Sequence, residues 1–171
     1  VTCLMPTHYT SQALEASCAY ACAVAEAVQG GSVSRILAAA YEGGRYGMAK
    51  APYQACAASS LARLKFLEEY LREKHSEDEL LDFLFSVLGT GLQSADVFSS
   101  VFALFLFDPG QTFRSICLAT RVGGDTDTIA ALVGALNRAY KLDSPIPASV
   151  LDTVYRVNSL NLVELSEALK G

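Results

Sequence analysis

The sequence has no CxxC pair, no run of basic residues and no apolar stretch of bilayer length. Its five cysteines (Cys3, Cys18, Cys22, Cys56 and Cys117) are odd in number and lack the spacing of a zinc or redox site. Cys18 and Cys22 lie four apart among alanines and read as small buried hydrophobes. That usage fits a reducing, cytoplasmic setting. Lys and Arg number 13 against 18 Asp and Glu, a net charge of −5. An acidic chain without a basic run argues against nucleic-acid binding and against an anionic membrane surface. The longest apolar stretch, residues 97–107, is interrupted by Ser99 and Ser100 and falls far short of the roughly 20 residues that span a bilayer. It reads as a helix buried on all sides. No alternating run suggests a strand, no fixed-period repeat or low-complexity linker marks a boundary, and no secretory signal opens the chain. His8 and His75 alone give no basis for a Ser-His-Asp triad. The segment 43–47 lacks the preceding strand and GK[ST] ending of a phosphate loop.

What is present is helical. A length of 171 residues, 51% hydrophobic and 18% charged, suits a globular domain with its own core, here residues 1–171 as one all-α unit. Thr10 or Ser11 caps a first helix to about Val28, ended by Gly30 and Gly31. Ser32 caps a second helix through Tyr41, weakened by Gly43, Gly44 and Gly47. A third helix is expected over about 53–74, and a capping box at Ser76 and Glu79 opens a fourth that reaches about Leu88. Asp96 precedes the buried helix as an N-cap or as an acid supporting a site. His75, at a helix C-terminus, reads as structural. Asp108 and Pro109 start a helix to about Val122, Asp125 starts another to about Tyr140, and two more begin near Pro147 and Asn158, the last stopping at Gly171.

The segment GGDTDTIAALVGAL, beginning at Gly123, carries the most chemistry. Gly123 and Gly124 permit positive φ and close backbone approach. With Asp125 as N-cap, Asp127 and Thr128 fall in the first turn, so two carboxylates and a hydroxyl gather at one helix end. These are oxygen donors, suited to magnesium, manganese or calcium rather than zinc. No later acid completes an EF-hand loop. The same residues also suit a plain acidic helix start.

In its context this segment resembles the C-terminal metal-binding motif of the ADP-ribosylglycohydrolase family, which includes the dinitrogenase-reductase-activating glycohydrolases. Pro6-Thr7-His8 before an Ala-rich helix resembles that family's Thr-His segment, and residues 89–107 its Gly-bearing loop and apolar helix. The helix leading into GGDTDT and the Ile146-Pro147 pair after it also agree. The resemblance covers nearly the whole chain and corresponds to the later half of the family's usual length. The chain departs from the family pattern at Arg138, usually glycine, at Lys141-Leu142, usually Tyr-Gly, and at Ser99, where an acid is common.

The resemblance implies an orthogonal multi-helical bundle, here incomplete, and a hydrolase that releases ADP-ribose from a modified protein or related conjugate. It implies a pair of magnesium ions, replaceable by manganese, with Asp125, Asp127 and Thr128 as ligands from this half. His8, Leu92, Gly123 and Gly124 would meet the substrate. The family's Thr-Asp-Asp motif and water-activating acid have no counterpart here, so the catalytic acid is expected in an N-terminal half. The chain opens at Val1 and reads as a processed product, a trimmed piece or a fragment. Its partners would be ADP-ribose or ADP-ribosylated protein, and a missing half or a second copy. A non-catalytic ADP-ribose-binding relative and a plain helical interaction module are the competing readings.

Overall fold

Thr10 and Ser32 each hold a helix start by accepting a first-turn N–H, Thr10 from Ala13 and Ser32 from Arg35. The computed structural model describes residues 1–54, 56–143 and 145–170, and among them every extended element is a helix apart from one isolated bridge. The helices are α1 (Ser11–Val28), α2 (Val33–Lys50), α3 (Ser60–Tyr70), α4 (Glu77–Phe83), α5 (Ser94–Phe107), α6 (Thr112–Ala119), α7 (Thr126–Tyr140), α8 (Ala148–Asn158) and α9 (Leu162–Ala168). The capping box at α4 forms as expected: Ser76 Oγ accepts the Glu79 N–H and Glu79 accepts the Ser76 N–H at 2.7 Å. A π-helical turn, Leu84–Leu88, then carries the chain to Gly89.

The core forms around α5. Every residue from Ala95 to Phe105 except Asp96 is buried there, and α1, α3, α6, α7 and the 84–88 turn pack against it. Of its two buried serines, Ser99 Oγ donates to the Ala95 carbonyl at 2.7 Å, inside the helix itself, whereas Ser100 Oγ has no hydrogen-bond partner among the described residues. Among the described residues no helix is long and apolar enough to cross a membrane. Helices α8 and α9 contribute no buried residue.

Several boundaries differ from the sequence expectation, each for an identifiable reason. Helix α2 runs through its glycines to Lys50 because they are packing contacts, Gly43 and Gly47 with α1 and Gly44 with Leu61 of α3. A Cβ on Gly43 would stand 2.7 Å from Cys22 Sγ, and one on Gly47 would overlap the Leu14 carbonyl. Cys22 is exposed rather than buried, and Cys18 is half-buried. Helix α3 begins at Ser60, not near Tyr53, because Tyr53 pairs with the start of α1: its carbonyl accepts the Ser11 N–H at 2.9 Å.

Asp108 and Pro109 do not start α6. The chain turns at Gly110, whose N–H donates to buried Asn137 Oδ1 at 2.7 Å, and Asp108 pairs with Arg114. Asn158 ends α8 rather than opening the last helix, and Asn161 caps α9. The expected stop at Gly171 lies outside the described residues. Asp96 is not an N-cap either. Gln93 holds that place, and Asp96 sits in the first turn, ion-paired with Arg63 of α3. His75 stacks on Tyr70, with Nε2 2.9 Å from the Tyr70 carbonyl at the end of α3.

Candidate functional site at the start of helix α7

The two glycines of the GGDTDT segment both take positive φ, 79° at Gly123 and 68° at Gly124. Gly124 also needs the space: a Cβ there would overlap the Thr90 carbonyl oxygen and stand 2.6 Å from its carbon. That approach lets the Asp125 N–H donate to the Thr90 carbonyl at 2.8 Å. Gly123 lies against the Phe85 ring, 3.2 Å from where its Cβ would be. The glycines therefore press the start of α7 onto the loop between the 84–88 turn and α5.

Asp125 occupies the N-cap position, yet its side chain makes no capping hydrogen bond. An ordinary Asp cap accepts a first-turn N–H. Asp125 is half-buried, and its carboxylate is left out of capping. It lines an open pocket of about 300 Å³ between α1, α5 and α7. Ser17, Tyr20, Ser94 and Thr128 are its hydroxyl-bearing residues, while Val97, Phe98, Val101 and Leu132 make the apolar wall. Tyr20 joins α1 to α7 across this pocket by donating its hydroxyl to the Leu132 carbonyl at 2.9 Å. Burial pushes the Tyr20 phenol up to about 12, so it is a neutral donor at physiological pH.

The structure gathers some of the expected site residues and separates others. Asp125, Thr128 and Leu92 share the pocket, with Leu92 86% exposed and hence at the mouth. Asp127 is exposed in the first turn of α7, beside the pocket rather than lining it. Gly123 and Gly124 shape the loop instead of forming a wall. His8 is exposed, with Nδ1 2.8 Å from Thr7 Oγ1, and does not line the pocket. The sequence reading did not single out Ser17 or Tyr20. Their spacing of three put them on one helical face, and that was the signal available.

The donor set fits a hard divalent cation in kind. Asp125, Asp127 and Thr128 offer only oxygens, from one helix start, and the Asp125 carboxylate is not consumed by capping. It is short in number: among the described residues no three His, Cys, Asp or Glu side chains gather into a metal-binding group. Magnesium takes six ligands, so the rest would be water, substrate or groups beyond this cluster.

A family model described as ADP-ribosylglycohydrolase matches residues 2–170. The uncharacterized protein YegU of Escherichia coli (strain K12) is 27% identical over 157 residues, which is 90% of this chain and 46% of that relative. The chain therefore spans about half the length of the curated relative it matches. No solved structure matches it. With the family match running over nearly its whole length, the chain belongs to the ADP-ribosylglycohydrolase family.

Proposed function

We propose that this chain contributes the GGDTDT part of a magnesium-dependent hydrolase site that releases ADP-ribose from an ADP-ribosylated protein or a related conjugate. The observation that carries the reading is the Asp125 carboxylate, left out of capping and lining the same pocket as Thr128. Family membership supports the substrate class. Asp125, Asp127 and Thr128 would hold the cation. Bound there, magnesium or manganese would orient the ribose hydroxyls and water and polarise the bond to the leaving group. The chain's own residues do the rest. The hydroxyls of Ser17 and Ser94 offer hydrogen bonds to a polyhydroxylated ligand, and the wall of Val97, Phe98 and Val101 offers apolar contact.

A second reading has its own support. With no three-ligand cluster among the described residues, a chain acting alone would bind ADP-ribose without cleaving it. The test is release of free ADP-ribose from an ADP-ribosylated peptide in magnesium. Release that stops in Asp125→Ala supports the hydrolase. Binding without release supports the second reading, and neither binding nor release removes both.

A further inference from the structure

We propose that Arg63 and Asp96, paired outside the pocket, are positioning residues that set the start of α7; the role rests on the function proposed above. The two come from α3 and α5, and their side chains are only 23% and 15% exposed. An ion pair that far from water is weakly screened and holds its geometry. The Asp96 carboxylate also lies against the loop that carries Thr90. A Cβ on Gly89 would stand 3.2 Å from its Oδ1, and one on Gly91 3.1 Å from its Oδ2. The loop is thus drawn over the carboxylate at two glycines, with Thr90 between them and 5% exposed.

Thr90 is the residue whose carbonyl accepts the Asp125 N–H. The Asp125 side chain does not cap its own helix, so this backbone bond and the packing of Gly124 on Thr90 are what fix its direction. Contact therefore runs from Arg63 to Asp96, through Gly89 and Gly91 to Thr90, and on to Asp125. Neither charged residue lines the pocket. Each acts through the loop.

The test reads the native-state bond directly, without metal, as the through-hydrogen-bond scalar coupling between Asp125 N and the Thr90 carbonyl carbon. The coupling should fall by about half or more in Asp96→Asn and Arg63→Met, and survive in Arg63→Lys, which keeps the charge. The remote bond from Ser11 N to Tyr53 O serves as the control and should not change. An unchanged Asp125 coupling in both neutral variants overturns the proposal, as does an equal fall at Ser11. Magnesium is then titrated into the same samples. Affinity about tenfold weaker in the neutral variants is expected of residues that orient a ligand-bearing helix, and unchanged affinity overturns the role. If the unsubstituted chain itself binds no magnesium, the proposed function fails, while the coupling still decides whether the pair sets α7.

Discussion

The Glu15 carboxylate of α1 accepts the Ser60 backbone N–H at 2.6 Å, so a buried acid from one helix closes the N-terminus of another. Its other oxygen accepts from Ser59 Oγ at 2.7 Å, and Ser59 in turn accepts the Ala62 N–H. A carboxylate at a helix N-terminus meets both the free N–H groups and the positive end of the dipole. With Glu15 2% exposed, losing one acceptor leaves a buried donor unpaired. Glu15→Gln should therefore destabilise the fold by about 1–3 kcal/mol, measured as a lower urea midpoint at unchanged slope.

Gly124 and Gly30 separate two costs of replacing glycine. Both have positive φ, 68° and 77°. A Cβ on Gly30 meets nothing within 4 Å, whereas one on Gly124 overlaps the Thr90 carbonyl. Gly30→Ala should cost about 1 kcal/mol, the backbone term alone. Gly124→Ala should cost about 3 kcal/mol or more, because strain and overlap add. Denaturant unfolding of the two variants decides, and the order matters more than the values.

Stability should respond to pH at both ends, with opposite signs. Burial raises the Tyr20 phenol from 10.0 to about 12 in the folded chain. Its contribution is then complete below pH 10 and is lost as pH climbs through about 12. Tyr20→Phe should flatten the alkaline fall in part. Tyr41, raised by burial and by its hydrogen bond to Glu68, keeps the remainder. At the acid end, hydrogen bonds from Arg114 and then Arg121 hold the Glu77 carboxyl below its ordinary 4.5. That contribution is present above 4.5 and is lost as pH drops through the lowered value, so Glu77→Gln should flatten the acid limb. Unfolding midpoints across both ranges are the measurement.

The helical plan was legible because its signals are local. Apolar spacing, the Ser76 capping box and the glycines after α1 each act within a few residues. The misplaced boundaries depended on partners distant in the chain. Gly43 and Gly47 look like helix breakers until α1 lies against them, and Asp108-Pro109 looks like a helix start until Asn137 captures the Gly110 N–H. The candidate site was legible only as a motif, since Asp125 directly follows its glycines and Thr128 lies one turn further on. Its pocket was not, because Ser17 and Tyr20 lie more than a hundred residues earlier and reach it only by packing.

The most direct measurement is calorimetric titration of ADP-ribose into the chain with and without magnesium, repeated on the Asp125→Ala/Asp127→Ala double variant. Helical circular dichroism confirms folding in each sample. Binding that requires magnesium and weakens by about tenfold or more in the double variant is the expected result. Binding of equal strength in both proteins, or none by the folded unsubstituted chain, would contradict a magnesium-dependent ADP-ribose site at the start of α7.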